Sequence, residues 1–274
     1  MAGPADGNPD LYAVDTDGQL TEYLGGTPSG NTAQLTSAPT PLGPVTDTAN
    51  HWWNLNEATG ATAADCAAAT DSGCAGGLDA TLAGTYGRTT DATRGTVLNL
   101  TGTTGYAATS GPALDTSQSF TVSAWVKLTS TAANSTFVSQ SDTAGNANGM
   151  QLYYSSGTQV WAFGRHNDDT TSTSFSSVYG TRAAAGQWTH LVGVYDAASA
   201  QLSLYVNGRL AGSHDYTGGV WNAAGPLQIG RRLYQGSYGE YANGEISDVR
   251  TYPTALPPAD AAAVGDIPAA VQLD

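Results

Sequence analysis

Lysine is nearly missing from this chain. Lys127 is the single example among nine basic residues, which face 23 acidic ones and leave a formal net charge of −14 over 274 residues. So acidic a balance excludes a sequence-independent hold on nucleic acid or on an anionic membrane, since both need clustered Lys and Arg. Charged residues of both signs amount to 12%, about half the usual share of roughly 25%, which excludes a charged coiled coil or a tail-like disordered chain. Long apolar runs are absent as well, with none approaching the ~20 residues that span a bilayer. The opening Met1-Ala2-Gly3-Pro4 has neither the basic nor the apolar region of a signal peptide. Any export signal is therefore expected outside this chain.

Glutamate is almost as scarce: Glu22, Glu57, Glu240 and Glu245 are the full set. A β-sandwich glycosidase needs two carboxylates facing each other across a cleft, and no Glu-x-Asp-x-Glu strand supplies them. Glu245 and Asp248 stand three apart, which on a strand puts them on opposite faces. No two glycines are separated by one residue, so a dinucleotide-binding G-x-G-x-x-G is excluded. The phosphate-binding G-x-x-x-x-G-K-[ST], the hydrolase G-x-S-x-G and the zinc-protease H-E-x-x-H are missing too. The four histidines, His51, His166, His190 and His214, are scattered. The chain is not expected to be an enzyme.

Two cysteines are present, Cys66 and Cys74, in the segment DCAAATDSGCAGG. They do not form a C-x-x-C pair, and no third cysteine or paired histidine completes a zinc site. The expectation is a disulfide that closes a Gly/Ala-rich loop, worth about 2.5 kcal/mol by chain entropy. Such a bridge persists in an oxidising compartment, so a secreted or cell-surface location follows.

What is present is turn-rich and β-patterned, with 34 glycines and 12 prolines. Residues 10–26 alternate around Asp17-Gly18 and predict a β-hairpin. The Thr/Pro/Ser/Gly stretch 27–44 reads as a linker, residues 45–265 as the main domain, and 266–274 as a C-terminal tail. In SFTVSAWVKL (119–128), Phe120, Val122, Ala124, Val126 and Leu128 share one face. LSLYVNGRLAG (202–212) alternates and then turns at Asn207-Gly208, the strongest short hairpin signal. Further strands are expected at 96–100, 136–140, 150–156, 158–166, 190–196, 226–231 and 245–252. In the last, Ile246 and Val249 fall out of period-two phase, which predicts a bulge or an edge. One short helix is expected near 256–264. Many short strands with Gly and Asn turns give an all-β fold, a two-sheet antiparallel sandwich or a barrel.

The segment from about 51 to 265 resembles the LamG-like jelly-roll family, the laminin G/concanavalin A-like lectin/glucanase domains. The stretches that carry the resemblance are HWWNLNEATGATAAD (51–65), SFTVSAWVKL (119–128), GQWTHLVGVYDAASAQLSLYVNGRLAG (186–212), and PLQIGR followed by GEISDVRTYPTAL (226–256). The resemblance implies a two-sheet antiparallel β-sandwich with ligands at a concave face or loop rim. It implies core and turn roles for Trp188, Tyr195, Asn207 and Gly208. It also implies a structural Ca2+ between the early loop and the last strand. The early loop here departs from the family's short acidic pattern by an insertion that the two cysteines bracket, so the disulfide replaces the metal or braces it. The hairpin at 10–26 is similar to the closing strands of an FG-GAP-type repeat, which suggests a multidomain exported parent.

Two sets of candidate residues follow. Asp65, Asp71, Asp79 and Asp248 are the expected oxygen ligands of a calcium ion; solvated loop acids or turn caps are the alternative. Arg165, His166, Asp168, Asp169, Trp221, Arg231, Arg232, Tyr234, Tyr238 and Tyr241 combine arginines, acids and flat rings in two rim loops. That composition suits a glycan platform with a local positive patch; rim packing and ion pairing are the alternative. The parity of Trp125 and Trp161 does not say which face each occupies. The expected function is a non-catalytic, secreted carbohydrate-binding (lectin-like) module of a larger extracellular protein. Its partners would be a glycan or cell-surface polysaccharide and neighbouring domains, with no nucleic acid and no membrane. The other reading is a structural or protein-interaction sandwich without a sugar ligand.

Overall fold

A computed structural model describes residues 49–67, 74 and 76–264, together with the backbone of five strands that precede them. Those five are β1 (Leu11–Val14), β2 (Gln19–Tyr23), β3 (Gly25–Ser29), β4 (Thr32–Leu35) and β5 (Thr40–Pro44). They belong to a unit separate from the main one, residues 49–266. Strands β1 and β2 form the expected hairpin, with Leu11 opposite Tyr23. The stretch 27–44 departs from the linker expectation, because β3 pairs with β4 and β5 adds to β2. Its Thr residues suit strands, a preference that its Pro and Gly content masked. The turn dipeptide at 17–18 and the tail lie outside the described residues.

The main unit begins with β6 (His51–Trp53), β7 (Thr62–Ala63), β8 (Ala80–Ala83), β9 (Tyr86–Asp91), β10 (Gly95–Thr101) and β11 (Tyr106–Thr109). It continues through β12 (Phe120–Leu128), β13 (Ser135–Ser141), β14 (Asn148–Ser155), β15 (Val160–His166), β16 (Phe175–Arg182) and β17 (Thr189–Asp196). The last strands are β18 (Gln201–Val206), β19 (Arg209–Asp215), β20 (Leu227–Ile229), β21 (Arg232–Tyr234), β22 (Ser237–Gly239) and β23 (Asn243–Tyr252), before the helix α1 (Pro258–Ala263). Two antiparallel sheets result. The first runs β19-β18-β17-β12-β23-β10-β9, with β6 also paired to β23; the second runs β16-β15-β14-β13-β20-β11-β8-β7. This is the expected all-β, two-sheet sandwich.

Period-two alternation explains which side chains fill the space between the sheets. Phe120, Val122, Ala124, Val126 and Leu128 of β12 pack there against Met150, Leu152 and Tyr154 of β14 and Trp161 and Phe163 of β15. Gln151, Tyr153, Ala162, Gly164 and His166 must then point away from the core, off the outer face of the second sheet. Strand β23 needs a correction to its alternation, and it has one. Ser123 pairs with Arg250 and Trp125 with Ser247, so two residues oppose Ala124 alone. Asp248 takes a left-handed conformation (φ 58°) at this bulge, and both Ile246 and Val249 reach the core. The strand is central rather than an edge. The hairpin of β18 and β19 turns at Asn207 (φ 50°) and Gly208 (φ 73°), as the Asn-Gly pair requires. Helix α1 packs Ala261 over Val192, Val194 and Tyr252 on the outside of the first sheet.

Strand β16 was not legible in the sequence. Its core contact is Val178, and as an edge strand it turns Phe175, Ser177 and Tyr179 outward, so no apolar alternation marks it.

Candidate functional site

The outward residues of the second sheet line up across its strands. Gly164 stands between Gln151 on β14 and Ser177 on β16, and Ala162 between Tyr153 and Tyr179. Small residues on β15 therefore leave a floor between larger walls. A Cβ on Gly164 would fall 2.6 Å from the Phe175 ring and 2.8 Å from the Ser177 hydroxyl. Glycine is what lets those side chains lie over β15. The depression has a volume of about 580 Å3, and His214 of β19, Asn134 and the β21–β22 hairpin contribute to its rim.

That hairpin brings the charged pair of the site. Arg232 donates from Nη2 to Glu240 Oε1 at 2.6 Å and from Nη1 to Gln151 Oε1 at 3.2 Å. The Glu240 carboxylate also accepts from Asn134 at 2.9 Å and from the Thr136 hydroxyl at 3.3 Å. Glu240 itself holds φ 47°, a conformation costly for a residue with a Cβ and often kept at ligand sites. Ion pair and amide form one ordered polar edge.

Aromatic rings form the other edge. The Arg232 guanidinium lies 4.2 Å from the Tyr234 ring centre. Tyr153 meets Phe175 edge-on, and its hydroxyl hydrogen-bonds Ser177 at 3.0 Å. Burial pushes the Tyr153 phenol well above its ordinary value. His166 is fully buried beneath this edge, 5.0 Å from Phe175 and 5.5 Å from Tyr234 between ring centres. Burial, and then the Arg232 charge, push its imidazole down to about 4, so it is neutral at pH 7.

The structure divides the residues expected for a glycan platform. His166, Arg232 and Tyr234 come together here. Arg165 does not: its parity is that of Trp161 and Phe163, so it points between the sheets with no exposed surface. It stacks on Tyr195 and Tyr216 and donates to the Trp221 carbonyl. Trp221 is occupied locally, its indole N–H donating to the His166 carbonyl. Arg231 donates to Gln228 and is sandwiched between Tyr106 and Tyr238, the latter 39% exposed. Tyr241 is partly buried and bridges to Thr136 through its backbone. Asp168 is tied to the Thr170 and Ser172 hydroxyls, whose bonds, the Thr170 one foremost, hold it below the usual carboxylate range. A hydrogen bond with Asp142 pushes exposed Asp169 up to about 6. Neither lines the depression. Gln151, Tyr153, Phe175, Tyr179, Asn134 and Glu240 do, and sequence reading missed them. The alternation of β14 was the available signal for the first two.

A laminin G family model, described as the concanavalin A-like lectin/glucanases superfamily, matches residues 101–262, more than half of the chain. The chain belongs to that superfamily. Solved structures share the concanavalin A-like fold at low identity. The binding domain of botulinum neurotoxin DC in complex with SialylT is 13% identical, with a TM-score of 0.56 over 80% of this chain and 51% of that one. A Trypanosoma rangeli sialidase in complex with 2,3-difluorosialic acid is 15% identical, with a TM-score of 0.57 over 82% of this chain and 34% of that one. The CBM40 of Ruminococcus gnavus IT-sialidase, bound to alpha2,3 sialyllactose, is 18% identical, with a TM-score of 0.49 over 61% of this chain and 95% of that one. No curated protein matches the chain.

The calcium that this concanavalin A-like family suggested does not fit the residues present. Asp65 is fully buried, and its two oxygens accept from His51 Nδ1 at 2.7 Å and from the backbone N–H groups of Trp52, Ala67 and Leu78. Four donors use the lone pairs a metal would need. Burial pushes this carboxyl up, but the Trp52 N–H, His51 and Ala67 bonds outweigh it and hold it below its ordinary value. Asp79 accepts from the Asp65 N–H. Asp248 faces the Arg250 guanidinium and the Trp52 indole rather than Asp65. Asp71 lies outside the described residues, and among those described no three acidic, histidine or cysteine side chains form a metal cluster. Cys66 and Cys74 are bonded, closing the loop as the sequence predicts.

Proposed function

We propose that this domain is a non-catalytic carbohydrate-binding module, acting outside the cell within a larger protein, with its glycan in the depression on the second sheet. The composition of that depression carries the reading: Tyr153, Phe175, Tyr179 and Tyr234 stand beside Gln151, Asn134 and the Arg232–Glu240 pair. Flat rings cover the C–H faces of a sugar while amides, hydroxyls and charged pairs hydrogen-bond its hydroxyls. Its volume of about 580 Å3 lies within the roughly 300–1,000 Å3 of small-ligand sites. Glu240 is the one carboxylate among the lining residues, and three donors already hold it. Glycoside hydrolysis by the usual route needs a second carboxylate opposite, so the site suits binding without cleavage. The disulfide is compatible with an oxidising compartment. The neurotoxin binding domain shows this fold in complex with SialylT, a use in keeping with the proposal.

A glycan array followed by titration of the hits tests it. Tyr179→Ala and Tyr234→Ala should each weaken binding about tenfold, about 1.4 kcal/mol, with melting temperatures within about 3 °C of the parent. A silent array, or binding that survives both substitutions, overturns this assignment.

A further inference from the structure

We infer that the ligand of this depression is an uncharged sugar read through its hydroxyl groups, and that glycans carrying carboxylates are disfavoured. The inference rests on the glycan-binding reading above. It starts from the three arginines that the sequence places near the rim. The fold consumes each of them. Arg165 is fully buried between the sheets on two tyrosine rings. Arg231 is clamped between Tyr106 and Tyr238, with Nε bound to Gln228. Arg232 alone lines the depression, and it does so in contact with Glu240 at 2.6 Å. The positive patch that composition suggests is therefore absent from the site.

An acidic ligand would have to compete with Glu240 for Arg232. Success would leave the Glu240 side chain, only 21% exposed, beside the incoming carboxylate with Asn134 and Thr136 as its remaining partners. Two like charges in so confined a site repel strongly. The field of the whole chain, at a net charge of −14, opposes the approach of anions further. Beneath the site, His166 is neutral at pH 7 and offers no compensating charge.

A hydroxyl group meets no such obstacle. It both donates and accepts, so it can bridge the Arg232–Glu240 pair without breaking it. The Gln151 amide nitrogen and the Tyr234 hydroxyl make no hydrogen bond to the described residues. These are donors left over for a polyol. The rings of Tyr153, Phe175 and Tyr234 supply apolar faces next to them.

The test uses the full 274-residue chain and paired neutral and acidic oligosaccharides: galactotetraose against tetragalacturonate, cellotetraose against tetraglucuronate and mannotetraose against tetramannuronate, in which every C6 hydroxymethyl is replaced by a carboxylate, and lactose against α2,3-sialyllactose, which adds one acidic sugar. Titration calorimetry should find at least one neutral member bound, its acidic counterpart at least tenfold weaker, and less than a twofold change in neutral-sugar affinity between 50 and 500 mM NaCl. Glu240→Gln keeps the shape of the side chain and frees Arg232 from its counter-charge. It should narrow the neutral-to-acidic ratio at least fivefold. Preference for an acidic member, or a ratio that Glu240→Gln leaves unchanged, overturns this inference while glycan binding stands. Silence from both members of every pair overturns the glycan-binding reading itself.

Discussion

At the scale of the residue, one step along β15 separates two fates. Arg165 points into the core and His166 onto the outer face, and both end with no exposed surface. His166 finds no hydrogen-bond partner for either ring nitrogen among the described residues, so the folded state favours the uncharged ring. Burial lowers it to about 4. Burial, with Arg250 and Arg94 nearby, lowers His190 to about 3. An unfolded histidine binds its proton near pH 6.5, so the unfolded chain takes up protons that these folded residues refuse. Their contribution is intact above about pH 6.5 and is lost as the pH falls toward 4 and 3. The slope approaches ~1.4 kcal/mol per pH unit per histidine. Urea midpoints measured from pH 7 to 4 should show it, and His166→Phe should flatten it; an unchanged slope would mean His166 is already protonated. Asp65 makes the opposite kind of contribution, as the acceptor for four donors. Asp65→Ala should cost at least about 3 kcal/mol by denaturant titration, because it strands buried N–H groups. Exhaustive chelation should leave the wild-type melting temperature unchanged, since nitrogen donors occupy the Asp65 oxygens; a fall of several degrees would restore the calcium expectation.

Elements differ in how plainly the sequence announces them. Strands β12 and β18 alternate apolar and other residues, so their existence and their inward faces follow from period two. Strands β15 and β17 carry apolar residues on both faces, so the sequence marks them as strands without saying which face is inward. Helix α1 follows from its Ala-rich run after two prolines, Pro257 and Pro258. Strand β16 and the β21–β22 hairpin gave no such signal. Both are short of apolar residues because they serve the outer face, where Phe175, Tyr179, Arg232 and Tyr234 gather. The missed elements are thus the ones that wall the candidate site. The cystine loop is a separate element and should behave as one. Replacing Cys66 and Cys74 together with serine should lower stability by about 2–3 kcal/mol, as expected for so short a loop. Glycan affinity should stay unchanged, because neither cysteine lines the depression.

For the whole molecule, composition alone decided the broad class. A net charge of −14 with one lysine argues against the clustered basic surface that a sequence-independent hold on nucleic acid or anionic lipid requires. Alternation and Asn/Gly turns decided an all-β sandwich or barrel, and the out-of-phase Ile246 and Val249 a bulge or an edge at β23; the sheet order then gave the sandwich and the bulge. Those are local facts, set by Cβ direction and backbone torsion, and the sequence carries them residue by residue. Which side chains meet was beyond it. Arg165 and Arg232 look alike as members of basic, aromatic segments, yet only strand parity and sheet order place one between Tyr195 and Tyr216 and the other against Glu240. Asp65 and Asp248 look like metal ligands until the fold gives them His51, backbone amides and Arg250. Partners of charged groups are separated by as many as 196 residues in the chain, as Asp248 and Trp52 are, and only tertiary packing sets such distances.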